Sequence, residues 1–202
     1  MHNITFDLST LHEHGTAFFD YLRLRKTFFV DTLKWDVPHN NDYEMDQYDN
    51  PTAWYSLVIE DGKVLAGARV MPTESVWGQH TYMLRDAYQG KLGGIPDRAM
   101  PSEIVTPLVW ECTRLVLSDE LREHTKRRRC LSMVVEGLSE IASDHGASEL
   151  VTLSTVSLVR ALRQLGFPAE RLGEAYRDPG DGRNYAVLKM PVAASTHAIA
   201  AE

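Results

Sequence analysis

The order of the predicted segments constrains the fold more than any other feature, because a hairpin comes first and strands then alternate with helices. Two segments rich in β-branched and aromatic residues, 54–60 and 63–70, flank the pair Asp61-Gly62. This pair is a strong signal for a two-residue turn between antiparallel strands. Hydrophobic periodicity predicts a helix at 16–33, strands at 108–117, 150–155 and 185–190, and helices at about 119–146 and 156–165. We therefore expect a three-layer α/β sandwich around one mixed sheet.

Length and composition are typical of one globular domain. The chain has 202 residues and no repeat or low-complexity linker, so we expect a single domain over 1–202, with disorder only in the Ala-rich stretch after Met190. The two cysteines form no Cys-x-x-Cys pair, which excludes a disulfide framework and disfavours a thiolate metal site. The sequence has neither a signal-peptide pattern nor an apolar run of about 18 residues, so we expect a cytoplasmic protein without a membrane span.

The net charge of −7 argues against a general nucleic-acid-binding protein, because such proteins are usually basic. Basic residues are nevertheless concentrated in two places. One is the run Lys126, Arg127, Arg128 and Arg129, and the other is the pair Arg160 and Arg163 on the following predicted helix.

A first group of polar and aromatic residues extends from the N-terminal helix through the loop 38–51 to the hairpin. Its members are Arg25, Phe29, Trp35, Glu44, Asp46, Asp49 and Arg69. The first two share one helix face because they are four residues apart. The three carboxylates repel one another, so they need cations from the two arginines or from a ligand. A loop of this composition is more often simply solvated.

The acidic loop also resembles a calcium-binding loop, because Asn40, Asp42, Glu44 and Asp46 alternate along the chain. It lacks the glycine that such a loop requires for its turn and the closing glutamate at the right distance. We therefore expect no metal.

A second group is the run Trp110-Glu111-Cys112-Thr113-Arg114 in the middle of the apolar strand 108–117. In a regular strand Glu111 and Arg114 would point to opposite faces, because they are three residues apart. A charged side chain in a buried strand is costly unless it is paired or functional. Glu111 is therefore a candidate proton acceptor, with a structural ion pair as the alternative for the two residues.

Taken together, the two groups resemble the signature of the acyl-homoserine-lactone (LuxI-type) autoinducer synthases. The matching order is Arg25-x3-Phe29-x5-Trp35-x8-Glu44-x-Asp46-x2-Asp49, then Arg69, then Glu111-x2-Arg114. The resemblance covers about residues 20–170 and nine positions in order. It implies a fold similar to that of the GNAT N-acyltransferases. Met83 or Leu84 stands where the family tends to carry an aromatic residue, a departure that concerns acyl-chain specificity.

The resemblance implies synthesis of a quorum-sensing signal from S-adenosylmethionine and an acyl thioester, carried by acyl carrier protein or coenzyme A, without a further cofactor. The amine of S-adenosylmethionine attacks the thioester, and its carboxylate then closes the lactone and expels methylthioadenosine. An α-ammonium group with a pKa of about 8 must first lose a proton. Glu111 is the first candidate base and Glu44 the second, and Arg69 is grouped with them as a catalytic residue.

The remaining members of the two groups are assigned to S-adenosylmethionine: Arg25, Phe29, Trp35, Asp46, Asp49 and Arg114. The acids would hold its cationic part, while Arg25 or Arg69 would hold its carboxylate or lock the acids in place. The two aromatic side chains would wall the adenine or the sulfonium, since cations favour aromatic faces. Ordinary core packing is the alternative for both.

The acyl chain requires an apolar tunnel, which we expect between the helices 130–142 and 156–165 and the strand 150–155. Candidate pocket residues are Thr152, Thr155, Met83 and Leu84. An acidic carrier protein would require a basic docking surface. Either basic group, Lys126–Arg129 or Arg160 with Arg163, is a candidate, although a solvated helix face explains each equally well.

Three other functions were weighed. An acetyl-coenzyme A N-acetyltransferase would be expected to carry a Gly-rich turn before the long helix, but residues 117–129 contain no glycine. A related enzyme that acylates another amino acid stays open. So does a non-catalytic S-adenosylmethionine-binding module, which would be expected to lose Glu111.

Overall fold

One mixed sheet forms the centre of the molecule in the computed structural model, which describes residues 1–192. Its eight strands are β1 (His2–Asp7), β2 (Trp54–Glu60), β3 (Lys63–Pro72), β4 (Val109–Leu117), β5 (Glu149–Thr155), β6 (Glu170–Arg171), β7 (Tyr176–Arg177) and β8 (Asn184–Pro191). The strand order is β1-β2-β3-β4-β5-β8-β6, and β7 pairs with β8. Only β4 and β5 pair in parallel among these strands.

Helices cover both faces of the sheet. They are α1 (Ala17–Arg25), which continues as a π-helix (Lys26–Thr32), α2 (Met83–Tyr88), α3 (His124–Asp144) and α4 (Ser157–Gln164). The apolar sides of α3 and α4 bury one face. The helices α1 and α2 cover the other face over two further apolar clusters. The predicted three-layer α/β sandwich is therefore confirmed.

The hairpin that anchors the prediction has the expected turn. Asp61 and Gly62 both have positive φ, 51° and 75°, as a two-residue turn compatible with strand twist requires. On the next strand Gly67 allows α1 to approach closely, because an added Cβ would lie 2.4 Å from a methyl carbon of Leu57 and 2.8 Å from the ring of Tyr21. This close approach brings the end of α1 to the middle of the sheet.

Several element boundaries differ from the prediction. The long helix begins at His124 rather than at 119, although Leu121 is still buried in front of it. The predicted helix 16–33 is α-helical only to Arg25, because its last turns form the wider π-helix. The edge strand β1 was not predicted, since Phe6 is its one buried side chain and the strand shows little alternation. Most of the segment after Met190 that we predicted to be disordered lies outside the described residues.

Between residues 1 and 192, no helix combines the length and the apolar character that crossing a membrane requires.

Candidate active site

A buried network of six charged side chains lies on the α1 face of the sheet. It consists of three arginines and three carboxylates: Arg25, Arg69, Arg114, Glu44, Asp46 and Asp49. Their formal charges cancel. The network brings together the end of α1, the acidic loop and the strands β3 and β4, so residues of both sequence groups are neighbours in space.

Arg25 holds two of the acids from the end of α1. Its Nε donates to Glu44 at 2.5 Å, and its two terminal nitrogens donate to the two oxygens of Asp49 at 2.7 and 2.8 Å. Such two-pronged contacts are among the strong charge-assisted hydrogen bonds. The guanidinium is fully buried, so the acids satisfy it in place of water.

Arg69 occupies the centre of the network from β3. It donates to both oxygens of Asp46 at 2.6 and 3.2 Å, lies 2.8 Å from Asp49, and donates from Nε to the hydroxyl of Thr113 at 2.9 Å. All four of these contacts are made within the protein. Burial would lower the pKa of Arg69, but the attraction of Asp46 and Asp49 outweighs it and raises the pKa.

Arg114 joins the network because β4 is irregular at this residue. Its φ is +56°, and the pairing of β3 with β4 shifts between Gly67 and Arg69, as in a β-bulge. The hydroxyl of Tyr21 donates to the Arg114 carbonyl at 2.8 Å. The side chain therefore lies on the same face as Glu111, 3.0 Å from Glu44 and 2.7 Å from Asp46. The expectation of opposite faces was wrong, because it assumed a regular strand.

The arginines hold the acids in their charged forms. Burial alone would raise the pKa of Asp46 and of Asp49, but the attraction of Arg69 with Arg114 for the first, and of Arg69 with Arg25 for the second, lowers both pKa values. Both oxygens of Glu44 also lie within 3.2 Å of an arginine nitrogen. Arg25 and Arg69 were expected either to bind the carboxylate of S-adenosylmethionine or to lock the acids in place. Their contacts correspond to the second role.

Glu111 is a fully buried carboxylate held in a different way. Its two oxygens accept hydrogen bonds from the backbone N–H groups of Met83 at 2.9 Å and Leu84 at 2.8 Å, at the start of α2. Burial raises its pKa to about 7, against the opposing effect of the two N–H groups and of Arg69. A carboxylate with such a pKa exchanges a proton near neutral pH, which is what a general base requires.

The aromatic residues of the first group stack beside the network. The rings of Phe29 and Trp35 are 5.0 Å apart at an angle of 26°, and the guanidinium of Arg114 lies 5.3 Å from the Phe29 ring. The indole N–H of Trp35 donates to Asp181 at 3.2 Å, and the Tyr185 hydroxyl donates to the same oxygen at 2.6 Å. Sequence reasoning missed both partners, because they lie about 150 residues further along the chain without any local motif.

An apolar cavity of about 50 Å³ lies on the opposite face, between the sheet and the helices α3 and α4. Its wall includes Cys112, Leu115, Val135, Leu138, Leu150, Thr152, Leu158 and Leu162. The helices and the strand predicted to line a tunnel do line this cavity. Thr152 belongs to the wall, whereas Thr155, Met83 and Leu84 do not. Leu84 is instead buried in the cluster on the other face, and Met83 packs against that cluster.

The strands β4 and β5 connect the two faces. They pair only from Val109 with Glu149 to Glu111 with Val151. Beyond Glu111 each strand continues without pairing to the other, up to Leu117 and Thr155. The charged network and the apolar cavity therefore approach each other where the sheet is open, beside Glu111.

The basic residues divide into paired and exposed ones. Lys126 pairs with Glu60, and Arg128 donates to the carbonyl of Gln164 at 2.7 Å, so the run 126–129 is not a continuous free surface. Arg127 and Arg129 are exposed.

On α4, an open groove is lined by Val156, Val159, Arg160, Arg163, Gln164 and Arg171. Arg171 was not predicted. The opposite side of α4 carries the cavity residues Leu158 and Leu162, so groove and cavity share one helix.

The alternating acids of the loop resemble a calcium site in sequence, but the carboxylates of Glu44 and Asp46 form ion pairs with arginines. Throughout residues 1–192 no three His, Cys, Asp or Glu side chains are grouped so that they could hold a metal ion.

Comparison with known proteins identifies one family. The family model described as autoinducer synthase matches residues 9–197. The acyl-homoserine-lactone synthase of Aeromonas hydrophila is 32% identical over 158 residues, which are 75% of this chain and 69% of that protein. The synthase of Ralstonia solanacearum is 31% identical over 158 residues, 74% of this chain and 70% of that protein.

Solved structures show the same fold. TofI, in a ternary complex with an inhibitor and MTA, aligns with a TM-score of 0.73 and 22% identity, covering 95% of this chain and 92% of TofI. BjaI, a CoA-dependent acyl-homoserine lactone synthase solved with MTA, aligns with a TM-score of 0.75 and 18% identity, over 94% of this chain and 82% of BjaI. An N-acetyltransferase fold from Lactobacillus plantarum aligns with a TM-score of 0.56 and 12% identity, over 96% of this chain and all of that one (100%).

Proposed function

We propose that this chain, which belongs to the autoinducer synthase family and is an acyl-homoserine-lactone synthase, joins S-adenosylmethionine to an acyl group delivered by acyl carrier protein. Membership establishes the enzyme class, and the substrate roles of individual residues are our assignment. One observation carries it: the buried carboxylate of Glu111 lies at the opening of the sheet between the charged network and the apolar cavity.

We assign the base to Glu111 rather than to Glu44. With a pKa of about 7, Glu111 is substantially ionised at neutral pH and can take a proton from an ammonium whose pKa is about 8. Each of its oxygens retains a lone pair beyond the backbone N–H bond. Both oxygens of Glu44 are already bound by Arg25 and Arg114.

The first step is acyl transfer. The amine nitrogen of S-adenosylmethionine forms a bond to the thioester carbonyl carbon, the carbon–sulfur bond breaks, and the carrier leaves as a thiol. Glu111 accepts the amine proton, directly or through a water, and the departing thiolate takes up a proton. The opening between β4 and β5 supports this geometry, because an acyl chain in the cavity would place its carbonyl beside Glu111.

The second step closes the lactone. A carboxylate oxygen of the acylated substrate forms a bond to its γ-carbon, and the bond from that carbon to the sulfonium breaks, releasing neutral methylthioadenosine. No proton has to move, so the protein has to fold the methionyl part and hold it. We assign the wall for the nucleoside to Phe29 and Trp35, which Asp181 and Tyr185 support.

The choice of carrier protein as donor rests on the groove of α4. Arg160, Arg163 and Arg171 are exposed around it, and an acidic carrier protein is attracted to a basic surface. The groove lies on the outer side of the helix that lines the cavity, so a docked carrier would be close to the acyl site. A coenzyme A thioester is the competing donor. Comparing the reaction rates with the two donors decides between them.

The test is reconstitution with purified components. The protein is incubated with S-adenosylmethionine and the same acyl chain on carrier protein or on coenzyme A, and mass spectrometry follows the lactone and methylthioadenosine. We expect both products in equal amounts, with a higher kcat/KM for the carrier. Glu111→Gln should bind S-adenosylmethionine normally and lose about 100-fold or more in rate. Arg160→Glu should raise KM for the carrier thioester about tenfold, with no change for coenzyme A.

Lys63→Glu is the matched control for charge, because Lys63 is exposed at the start of β3 and does not line the groove. An acylated product without release of methylthioadenosine would indicate another amino acid as acceptor. Binding of S-adenosylmethionine without any product from either donor would indicate a non-catalytic module. A preference for the coenzyme A ester that Arg160→Glu leaves unchanged would refute the carrier assignment alone.

A further inference from the structure

We propose that Asp86 is a positioning residue for Glu111, because it holds together the short segment whose two backbone N–H groups bind the Glu111 carboxylate. The inference deepens the proposed function and rests on it, since it takes Glu111 as the base. Asp86 lies on α2, two residues beyond Leu84.

Asp86 closes the segment in front of α2. Its carboxylate is fully buried and accepts hydrogen bonds from the Thr81 backbone N–H at 3.2 Å and from the Thr81 hydroxyl at 2.7 Å. Met83 and Leu84, the two donors to Glu111, lie between Thr81 and Asp86 in the chain. Contacts on both sides of them therefore determine where their N–H groups point.

Three more donors bind the same carboxylate. Lys91, just beyond the end of α2, donates from Nζ at 3.1 Å, and the ring nitrogen Nδ1 of His80 lies at 3.3 Å. The hydroxyl of Tyr48, from the acidic loop, donates at 3.0 Å. Asp86 thus ties the beginning and the end of the α2 segment to each other and to the loop that supplies the acids of the network.

Tyr48 extends this connection to the network itself. Its ring lies 5.7 Å from the guanidinium carbon of Arg69, and Arg69 holds Asp46 and Asp49. One buried carboxylate therefore contacts both the segment that binds the base and the ring beneath the central arginine. Glu103, by contrast, accepts from Arg85 and Gln89 on the exposed side of α2 and reaches neither.

A helix as short as α2 needs such support. It has six residues, and isolated helices shorter than about 12 residues are marginal in water. Without Asp86 the first turn would no longer be held against Glu111. The carboxylate would then lose donors that favour its ionised form, and its pKa would rise above the value of about 7 that burial already produces.

The other titratable groups around Glu111 do not donate to Asp86, except for the Tyr48 hydroxyl. They are Arg69 and Asp46 from the network, Cys112 beside it on β4, and Tyr48 and Tyr82 from the acidic loop and the α2 segment. Asp86 itself does not compete for the role of base. Burial would raise its pKa, but the hydrogen bonds of Thr81 and Lys91 outweigh burial and lower it, so Asp86 stays ionised near neutral pH.

The experiment measures the single-turnover acylation rate of the full chain against pH for Asp86→Asn and for the wild type. We expect the acidic limb of the profile to move to higher pH by about one unit, because each lost hydrogen bond favours the protonated base. Removal of the Asp86 charge acts in the opposite direction, but Lys91 already offsets that charge in the wild type. At pH values above the acidic limbs of both enzymes, the rate of Asp86→Asn should return to within about threefold of the wild-type rate. The amine of S-adenosylmethionine titrates identically in both, so the difference belongs to the enzyme.

Glu103→Gln is the matched control, because it removes an acidic partner from the exposed side of the same helix, and its profile should coincide with that of the wild type. A rate that falls by the same factor at every pH, with an unmoved limb, would show that Asp86 is only structural and would overturn the inference. If Asp86→Asn does not fold, Thr81→Val tests the same link. It removes one donor to Asp86 and should move the limb by about half as much, whereas an unmoved limb overturns the inference.

Glu111→Gln separates this inference from the proposed function. An inactive Gln variant together with an unshifted Asp86→Asn profile rejects only the positioning role of Asp86. A fully active Gln variant rejects Glu111 as the base, and the inference is rejected with it.

Discussion

The two faces of the sheet at β4 differ in almost every physical respect. Towards α1 the strand presents Glu111, Thr113 and Arg114 to a network of charges that are buried and paired. Towards α3 it presents Cys112 and Leu115 to an apolar cavity. The same nine-residue strand therefore presents fixed charges on one face and an apolar surface on the other.

This difference determines how each face responds to change. A buried ion pair that loses one partner leaves an uncompensated charge, so each member of the network depends on the others. An apolar cavity loses or gains contacts gradually with volume. We therefore expect substitutions on the charged face to abolish folding or chemistry, and substitutions on the apolar face to change the acyl chain that is accepted.

The largest effect should follow from breaking the centre of the network. Arg69→Met leaves Asp46 and Asp49 without their shared partner and should lower the free energy of unfolding by about 3–5 kcal/mol, measured by denaturant titration. The control is Arg23→Met, because Arg23 is half-exposed and its pair with Asp20 is a surface pair that contributes little. Equal and small losses for the two variants would mean that the charged face does not depend on pairing.

The second prediction concerns the pH dependence of stability, since the two kinds of buried acid respond in opposite directions. The pKa of Glu111 is raised from 4.5 to about 7 on folding, so the folded state binds more protons between these values. Its contribution to stability is therefore lost as the pH rises through this window, by roughly 3 kcal/mol in total. Asp46 and Asp49, whose pKa values are lowered, contribute stability that is lost only in acid.

Comparison of the wild type with Glu111→Gln isolates this effect. The difference in free energy of unfolding between the two should change by roughly 3 kcal/mol from pH 5 to pH 8, with the Gln variant gaining relative stability. Two parallel curves would contradict a raised pKa and remove one argument for Glu111 as the base. Any constant offset from the lost carboxylate cancels in the comparison.

The smallest effect should come from the apolar face. Leu158→Ala enlarges the cavity between α4 and the sheet and should shift the ratio of longer to shorter acyl products about tenfold, with an unchanged KM for S-adenosylmethionine. Leu153→Ala is the control, because Leu153 follows Thr152 on β5 but packs into the cluster on the opposite face. If both variants alter the acyl chain equally, the cavity is not the acyl site.

Local signals were sufficient for most of the fold. The Asp61-Gly62 turn, the apolar strands β4, β5 and β8, and the periodic helices α1, α3 and α4 were all predicted, because turn chemistry and hydrophobic period are properties of neighbouring residues. The short strands β6 and β7 and the edge strand β1 were not predicted. They bury few side chains of their own, so hydrophobic alternation marks them poorly.

The charged residues of the site were also recognisable from the sequence, since three clustered acids need cations and Glu111 interrupts an apolar strand. Which acid pairs with which arginine was not recognisable from the sequence. It depends on the bulge that turns Arg114 to the face of Glu111, and a bulge has no reliable local pattern. Asp86 and Asp181 were missed for a related reason. A single aspartate in a polar segment is ordinary, and only the contacts with distant residues distinguish these two.

The sequence by itself therefore determined the layers of the sandwich, which follow from local periodicity. It also indicated the family and the charged residues of the site, through the resemblance to a known signature. Only the tertiary structure decided which glutamate is bound by arginines and which is bound by backbone N–H groups. The reason is that burial, arginine contacts and backbone N–H groups come from different parts of the chain. Glu44 contacts Arg25 and Arg114, whereas Glu111 contacts the start of α2, so two buried glutamates have different surroundings.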